Sequence, residues 1–583
     1  MGFHPSQYRG LIAADSEVQR RFFTQYQGTR DDFDVIVIGS GIGGGLLADD
    51  LVEHVDSAKG APRVLVLEAG SYLFPTHVYN TSRFDNAEIA RSFACQTFWQ
   101  PGGFADQRYI HEAPQLNLGG RSVFWSGLIP TIQPWELEFF PDGVREALTD
   151  PVVAVPGTTI NRLEAAGRTM NESATMGSKA EELVDHLRRT ELGDDFEIHQ
   201  TPRALHQPYL VDRGTSQEKY FVEPTGVFNT AELLINQLGR DRDHNGSGLH
   251  LQLNQYVEDI QRLPSNWLRL VSRSTLTGRS RSYYAPRVVL AGGSIESPRL
   301  LMRSALGRSL DEAVRNGIGK GLTDHPTTDS RAALVTRCRG TTLEIPRNEH
   351  AKIIFYPRND GGDQDVQHPF NVELNINHEY WHRRDNDPDT RDLQPPGAAS
   401  VLDFKFSFAN CLDPGNAVHP APPGEYVSQI DFSNLNWTSH TVSRIERLTG
   451  RNMQNIFAEL NGVGTRILDQ FEYCGDPPPP GYAVRNTGEV PTTAPLGHDG
   501  KGFGRGTVHH AAGTLAMPYR PARGEGITSD SVVDEDLQVR GADGLYVCDM
   551  SVMPFSSAAN PVRVLAALAL RLSEHLFSRW KDQ

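Results

Sequence analysis

Cysteine is scarce in this chain. Only five of the 583 residues are cysteines: Cys95, Cys338, Cys411, Cys474 and Cys548. Their number is odd, they lie far apart, and no two form a Cys-x-x-Cys pair. This pattern argues against a disulfide framework and against a zinc site, so we expect five reduced thiols and no metal.

An excess of positive charge and a long apolar run are also missing. Lys and Arg total 56 against 72 Asp and Glu, which gives a formal net charge of −16. Nucleic-acid binding requires a clustered basic face, so no such partner is expected. No segment approaches the roughly 20 apolar residues that span a bilayer, and the N-terminus lacks the apolar core of a signal peptide. We therefore expect no membrane span and a cytoplasmic location.

What the sequence does contain is a glycine-rich turn inside a βαβ pattern. The turn fits G-x-G-x-x-G at Gly39, Gly41 and Gly44. The three glycines allow a sharp turn, close approach of a pyrophosphate and tight helix–strand packing, and the helix N-terminus directs free N–H groups at the phosphates. Glu68 ends the next predicted strand 24 residues after Gly44, where it can accept hydrogen bonds from ribose hydroxyls. This pattern alone fits both FAD and NAD.

Further motifs follow in a fixed order along the chain. They are VLVLEAG (64–70), NLGGRSVFWS (117–126), VVLAGGSIESPRLLMRSALG (288–307), IGKGLTDHP (318–326), H-x-x-G-T at His510–Thr514 and ANP at Ala559–Pro561. Together they resemble the glucose-methanol-choline (GMC) oxidoreductases, a family of FAD-dependent enzymes. The resemblance covers the FAD-binding segments well and the substrate-binding segments hardly at all.

The resemblance implies a set of cofactor contacts. The ADP half of FAD would be held by Gly39, Gly41, Gly44 and Glu68, with the backbone of Val257 touching the adenine. The flavin side would be lined by Gly119, Gly120, Ser122, Asn560 and Pro561, and Asp549 would bind near the ribityl and pyrophosphate groups.

The residue at position 124 bears on how FAD is attached. Some relatives bind FAD covalently through a histidine in the glycine-rich segment, and here that position is Phe124. Phenylalanine cannot form the bond, so non-covalent FAD is expected. The Phe-Trp-Ser ending at 124–126 is closer to the sugar-oxidising, pyranose-oxidase-like branch than to choline-type members.

The order of motifs predicts an α/β fold: a Rossmann-like FAD-binding domain interleaved with an α+β substrate domain that contains an antiparallel sheet. Residues 248–260 and 266–290 alternate like antiparallel strands, and residues of about 335–475 suggest a second antiparallel sheet. The predicted boundaries are an N-terminal arm at 1–30, an FAD-binding domain at 31–150, 225–334 and 500–583, and a substrate domain at 151–224 and 335–499.

Alcohol oxidation requires a base for the hydroxyl proton and a polar group that holds the oxygen as charge develops. The resemblance assigns these roles to His510 and Asn560. The H-x-x-G-T spacing selects His510 rather than His509, whose side chain would face the opposite side of a strand. Asn560 is also predicted to cap a helix that starts at Pro561. His325 is interpreted as a structural residue.

The expected substrate is a sugar, a glycoside or another small alcohol, and the expected electron acceptor is oxygen or a quinone-like compound. Three alternatives stay open: an FAD-containing lyase of the same family, a non-catalytic flavin-binding protein, and an NAD-dependent dehydrogenase. The last leaves the C-terminal motifs without an explanation.

Overall fold

A computed structural model of the chain describes twenty segments of the sequence. They are residues 33–72, 115–155, 158–173, 180–205, 210–212, 217–219, 227–240, 248–325, 327–329, 333–345, 351–358, 369–376, 400–420, 429–432, 446, 452–474, 483–484, 510–521, 525–528 and 531–582. The predicted N-terminal arm and His509 lie outside them.

A five-stranded parallel sheet forms the centre of the first core. Its strands, in spatial order, are Leu249–Gln252, Val64–Leu67, Val35–Ile38, Arg287–Leu290 and Leu545–Val547. Most of their residues are apolar and buried, as expected for a parallel sheet covered on both faces. Helices Ile42–Glu53 and Val562–Lys581 pack against each other in this core. The sheet confirms the predicted α/β class.

The expectation for residues 248–290 is partly wrong. Leu249–Gln252 pairs in parallel with Val64–Leu67 and extends the central sheet instead of forming an antiparallel strand. The reason is the preceding helix, Thr230–Arg240, which packs against helix Ile42–Glu53 and returns the chain in the parallel direction. The following strands form the predicted antiparallel sheet: Gln255–Arg262, Leu268–Ser274 and Ser280–Ala285.

A seven-stranded, mainly antiparallel sheet confirms the second expectation. Its strands are Ala483–Val484, Ala333–Val335, Ser400–Phe408, Phe370–Ile376, Ala351–Pro357 and Phe196–Gln200, with Thr327–Asp329 also paired to Ser400–Phe408. One face packs with helices Ala180–Arg188 and Met453–Asp469 in a second apolar core. Along Phe370–Ile376, Val372 and Leu374 point into this core, so the alternate residues Asn371 and Glu373 lie on the opposite, polar face.

The remaining elements are short. The helices are Asp142–Thr149, Arg162–Thr169, Leu192–Asp195, Gly293–Arg303, Ala305–Arg308 and Glu312–Gly317, with 3-10 turns at Gly120–Val123, Pro134–Phe139 and Met550–Val552. The other strands are Pro151–Val155, Thr158–Asn161, Glu172–Ser173, Arg203–Ala204, Leu210–Asp212, Gln217–Lys219, Lys320–Gly321, Arg337–Cys338, Asn410–Cys411, Asp413–His419, Gln429–Phe432, Phe471–Glu472 and Phe555–Ser556.

The predicted domain boundaries stay predictions. Helix Arg162–Thr169 packs against the C-terminal helix Val562–Lys581 and contributes Leu163 and Ala166 to the first core. This helix therefore packs in the first core, although it falls within the segment 151–224 that was predicted for the substrate domain. Among the described residues, no helix has the length and apolar character needed to cross a bilayer.

Two glycines of the glycine-rich turn are predicted to have different roles: one in backbone packing and the other in leaving space for a ligand. A Cβ on Gly44 would lie 2.3 Å from the carbonyl oxygen of Gly39, whereas a Cβ on Gly41 would meet nothing within 4 Å. We expect Gly44→Ala to lower the free energy of unfolding by about 1–3 kcal/mol, since backbone must move. Gly41→Ala should cost less than about 1 kcal/mol and act on cofactor binding instead.

Thermal unfolding and FAD content of both purified variants test this contrast. The expected results are a destabilised Gly44→Ala protein and a stable Gly41→Ala protein that has lost FAD. A Gly41→Ala protein that retains full FAD would contradict the proposed position of the pyrophosphate.

Candidate active site

The glycine-rich turn is held in place by the side chain of Ser40. Gly39 adopts a positive φ of 106° directly after the first strand, and helix Ile42–Glu53 begins three residues later. The Ser40 hydroxyl donates to Glu68 Oε2 at 2.6 Å and accepts from the backbone N–H of Gly119 at 2.9 Å. The structure thus brings the first fingerprint, the acidic residue of the second strand and the second glycine-rich segment together.

Glu68 is buried and already has protein partners. Its Oε2 accepts from the backbone and hydroxyl of Ser40, and its Oε1 accepts from the backbone N–H of Gly70 at 2.7 Å. Burial raises the pKa of Glu68, while these hydrogen bonds act in the opposite direction. The carboxylate therefore stabilises the turn, and its predicted contact with ribose stays a prediction.

The second glycine-rich segment lies against the first. A Cβ on Gly120 would sit 3.4 Å from the Cα of Gly41, so only backbone separates the two turns. Ser122 donates from its hydroxyl to the carbonyl of Gly119 at 2.6 Å. Two backbone turns meeting at a helix N-terminus, with open space beside Gly41, suit the phosphates of a dinucleotide. The residues present fit FAD.

Asp549 is the buried acceptor that joins this region to the C-terminal motif. Its Oδ2 accepts from the Gly293 backbone and the Ser297 hydroxyl, and its Oδ1 accepts from the backbone and hydroxyl of Ser551. Burial raises the pKa of Asp549. Its observed bonds fix the turn Met550–Val552, so its predicted contact with the cofactor stays a prediction.

Val257 lies in the three-stranded sheet. Its carbonyl accepts a hydrogen bond from Arg303 Nη2 at 2.5 Å. The acceptor that would face an adenine amine is therefore engaged by a side chain, and the predicted adenine contact stays a prediction.

A backbone pair explains how His510 meets His325. The backbone groups of Thr323 and Ala512 exchange two hydrogen bonds, of 3.0 and 2.8 Å, as an isolated antiparallel bridge. In an antiparallel pair, the residue two positions after Thr323 lies opposite the residue two positions before Ala512. His325 is therefore opposite His510, on the same face. Nδ1 of His510 and Nε2 of His325 lie 2.7 Å apart, with ring centroids at 4.7 Å.

His325 is far more deeply buried than a surface histidine. Only 2% of it is exposed, whereas His510 is partly exposed. Burial, together with the charge of Lys405, lowers the pKa of His325 to about 3, against the smaller opposing effect of Glu373. His325 is therefore a neutral imidazole at physiological pH.

Asn560 lies in the segment on the other side of His325. The backbone carbonyls of Ser557 and Ala558 contribute to the pKa of His325, which places that segment next to the ring. Asn560 is 6% exposed, and its Oδ1 has no hydrogen-bond partner among the described residues. The prediction that Asn560 caps the C-terminal helix is wrong, because that helix begins at Val562 with Pro561 in the cap position.

Two buried side chains hold the backbone two residues before Asn560. Glu136 Oε1 accepts from the N–H of Ala558 at 2.6 Å, and Asn371 Nδ2 donates to the carbonyl of Ala558 at 2.9 Å. Burial raises the pKa of Glu136 to about 7. Since Asn371 belongs to the polar face of the seven-stranded sheet, this face borders the segment that carries Asn560.

Asp324, His325 and His510 are also the one group of metal-type ligands found within the described part of the chain. Ligand atoms bound to one zinc ion at about 2.0–2.1 Å stand more than 3 Å apart in tetrahedral geometry. The two imidazole nitrogens are 2.7 Å apart, a direct hydrogen bond. The contact fits a histidine pair, and the absence of a metal stays a prediction.

The sequence pointed to His510 and Asn560 but missed three residues around them. His325 carried a signal, the Thr-Asp-His-Pro motif, but was interpreted as structural; the structure puts it in direct contact with His510. Glu136 and Asn371 lie in segments without a motif, and only the tertiary contacts with Ala558 reveal them.

Comparisons of both sequence and structure match this chain to flavin-dependent oxidoreductases of one family. Two family models described as GMC oxidoreductase match residues 267–327 and 436–569. Pyranose dehydrogenase of Agaricus campestris is 22% identical over 480 residues, which cover 77% of this chain and 74% of that protein. Pyridoxine 4-oxidase of Microbacterium luteolum is 25% identical over 295 residues, 48% of each.

Two solved structures share the fold. The pyridoxine 4-oxidase from Mesorbium loti has a TM-score of 0.53 at 16% identity, covering 93% of this chain and 99% of that one. The formate oxidase of Aspergillus oryzae RIB40 has a TM-score of 0.57 at 15% identity, covering 96% and 100%.

Glu136 generates a prediction for the pH dependence of stability. Its folded-state pKa of about 7 is above the ordinary value of 4.5, so the folded protein binds this proton more tightly than the unfolded chain. The resulting stabilisation is complete below about pH 4.5 and is lost as the pH rises through about 7. Glu136→Gln stays neutral and should lack this loss, on the order of 2–3 kcal/mol.

Urea unfolding of the holoenzyme at several pH values between about 5 and 8 measures the difference. Glu138→Gln, in the same 3-10 turn but partly exposed, is the matched control and should follow the wild type. Parallel pH dependence in wild type and Glu136→Gln would show that Glu136 does not titrate in this range.

Proposed function

Because this chain belongs to the GMC oxidoreductase family and is an FAD-dependent oxidoreductase acting on alcohols, we propose that it oxidises a carbinol to a carbonyl with His510 as the base. The observation that carries the proposal is the position of His510. Its Nδ1 lies 2.7 Å from Nε2 of His325, and the proposal assigns the substrate proton to the opposite ring nitrogen, Nε2. His510 is partly exposed, and Asn560 is a buried amide two residues after Ala558, in the segment that passes His325. An imidazole and an amide are both suited to bind a hydroxyl group.

The proposed reaction removes a proton from the substrate hydroxyl and a hydride from the carbinol carbon. His510 Nε2 takes the hydroxyl proton, and Asn560 holds the oxygen while negative charge develops on it. FAD, when bound, supplies the acceptor for the carbinol hydrogen and its electron pair at flavin N5. The turns at Gly39–Gly44 and Gly119–Gly120 would hold the dinucleotide, with Pro561 and the start of helix Val562–Lys581 beside the ring.

Phe124 supports non-covalent attachment of FAD. It lies directly after the 3-10 turn Gly120–Val123, in the glycine-rich segment, and its ring packs against the first core. A hydrocarbon ring in this position has no nucleophilic atom to offer to the flavin. The electron acceptor is proposed to be oxygen or a quinone-like compound, and parallel assays with each distinguish an oxidase from a dehydrogenase.

A polyhydroxylated substrate is the class that the site suits best. The polar sheet face that borders the Asn560 segment carries three buried acceptors without a hydrogen-bond partner among the described residues: Asn371 Oδ1, Glu373 Oε1 and Ser407 Oγ. The other carboxylate oxygen of Glu373, Oε2, lies 3.5 Å from Nζ of Lys352 in an ion pair. Buried polar atoms normally have partners, so sugar hydroxyls would supply them. Similarity to a pyranose dehydrogenase supports the same substrate class.

Replacing His510 tests the proposed base. His510→Ala should slow reduction of the bound flavin by an alcohol about 10²–10⁴-fold, the usual contribution of a positioned base, while FAD stays bound. The adjacent His509→Ala is the matched control and should change the rate far less. Anaerobic mixing with a panel of sugars and alcohols measures the rate. Loss of FAD in parallel with activity would assign His510 a structural role instead.

Replacing Glu373 tests the substrate class. Removing the charge with Glu373→Gln should weaken binding of sugars about 10- to 100-fold, because a hydrogen bond to a charged acceptor is lost. A monohydric alcohol such as benzyl alcohol should be affected much less. Glu197→Gln, on the same sheet but solvent-exposed, is the control. Equal effects on both substrates would count against recognition of hydroxyl groups by Glu373.

A further inference from the structure

We propose that Glu136 and Asn371 are positioning residues: together they hold both backbone groups of Ala558 and so set where the amide of Asn560 lies relative to the substrate oxygen. The inference rests on the proposed function, in which Asn560 holds that oxygen while negative charge develops on it. It assigns a role in the reaction to two residues that no sequence motif marks.

The first step is the pair of hydrogen bonds on one residue. The N–H of Ala558 donates to Glu136 Oε1 at 2.6 Å, and its carbonyl accepts from Asn371 Nδ2 at 2.9 Å. The second oxygen of Glu136 accepts from the N–H of Gln133 at 2.9 Å, so the carboxyl group is itself fixed. Both side chains are buried, and opening either bond would leave a polar group unsatisfied away from water, which opposes movement of Ala558.

The second step is where the two side chains come from. Glu136 lies in the 3-10 turn Pro134–Phe139, whose Leu137 packs in the first core. Asn371 lies on a strand of the seven-stranded sheet, next to Val372, which packs in the second core. Ala558 is therefore held by both cores at once, and its position is set by the part of the protein that contains each.

The third step is the rigidity of the surrounding segment. The ring of Phe555 stacks on Phe139, with centroids 4.1 Å apart and planes 11° apart. The strand that starts at Phe555 pairs with Asn410–Cys411. The hydroxyl of Ser557 donates to the carbonyl of Ala559 at 2.7 Å. The backbone that leads into Asn560 is thus anchored on several sides.

The fourth step is the amide of Asn560 itself. It is buried, and its Oδ1 has no hydrogen-bond partner in the part of the chain that the structure describes. Pro561 follows and restricts the backbone of Asn560. Because the side chain is short, a displacement of Ala558 is passed on to the amide.

The consequence concerns the chemical step. A hydrogen bond to an oxygen that becomes negative is strongest in the transition state, and a misplacement of about 1 Å can cost about 10²-fold in rate. Loosening Ala558 should therefore slow hydride transfer and leave substrate binding nearly unchanged.

Three replacements test the two hydrogen bonds. Asn371→Ala removes the donor, Glu136→Leu removes the acceptor, and Glu136→Gln keeps one acceptor oxygen for the N–H of Ala558. In the holoenzyme, the limiting rate of flavin reduction should fall about 10- to 100-fold in the first two variants and stay within about three-fold of wild type in Glu136→Gln. The apparent Kd should change less than about three-fold.

The substrate and the control are chosen to isolate this effect. A monohydric alcohol such as benzyl alcohol has no second hydroxyl group for Asn371 Oδ1, so a change in sugar binding does not enter the rate. Asn375→Ala is the matched control: this asparagine is equally buried and lies on the same strand and the same face, four residues away. It should leave the limiting rate unchanged. Asn371→Ala carries the test alone if Glu136→Leu does not fold.

Hydrogen exchange provides a readout that does not depend on turnover. In the wild-type holoenzyme the N–H of Ala558 is buried and bonded, so a peptide covering 555–563 should exchange slowly. Its exchange should accelerate in Asn371→Ala and Glu136→Leu but not in Asn375→Ala. Faster exchange confined to this peptide, with the melting temperature and FAD content retained, identifies local loosening. Unchanged exchange in both variants would overturn the inference.

A double-mutant cycle separates this inference from the proposed function. Asn560→Ala should slow flavin reduction about 10²–10³-fold, and adding Asn371→Ala should slow it further by no more than about two-fold. Additive losses, or a wild-type rate in Asn371→Ala beside a slow Asn560→Ala protein, would contradict the positioning role alone. An Asn560→Ala protein with the wild-type rate would instead reject the role of Asn560 in the proposed function.

Discussion

The candidate active site depends on a pair of backbone hydrogen bonds between Thr323 and Ala512, two residues almost two hundred positions apart. This bridge brings the segment after the nucleotide-binding core against the segment that carries the H-x-x-G-T motif. Because residues opposite each other in an antiparallel pair share a face, it also sets His325 against His510. The chemistry of the pair is thus decided by main-chain geometry and does not depend on flexible side chains finding each other.

Three buried carboxyl groups hold the segments that carry the candidate site, and each has defined hydrogen-bond partners. Asp549, Glu68 and Glu136 each accept backbone N–H groups, which compensates much of the cost of removing a carboxylate from water. Each also ties down a segment that the site requires: the turn after the last parallel strand, the glycine-rich turn and the backbone before Asn560. Their burial raises the pKa of all three, so structural rigidity and sensitivity to pH arise from the same contacts.

The two cores support different parts of the candidate site. The parallel sheet collects strands from five distant parts of the chain and places the glycine-rich turns at one edge, where helix N-termini favour phosphate. The seven-stranded sheet buries one face in its own core and leaves Asn371 and Glu373 on the other, where Asn371 contacts Ala558. A cofactor held by the first element and a substrate held by the second would meet at the histidine pair.

Local patterns in the sequence determined the parallel sheet, the glycine-rich turns and the C-terminal helix, because apolar runs and glycine spacing act over a few residues. The H-x-x-G-T and Ala-Asn-Pro motifs also sufficed to select His510 and Asn560 as candidates. The sequence did not disclose the direction of strand Leu249–Gln252, the helix cap at Pro561, or the partners of Ala558. The strand direction and the partners of Ala558 depend on contacts between segments separated by nearly two hundred residues or more, where packing and backbone pairing override local preference. The contact between His325 and His510 belongs to this second group: each histidine is visible in a motif, but only the tertiary structure pairs their nitrogens.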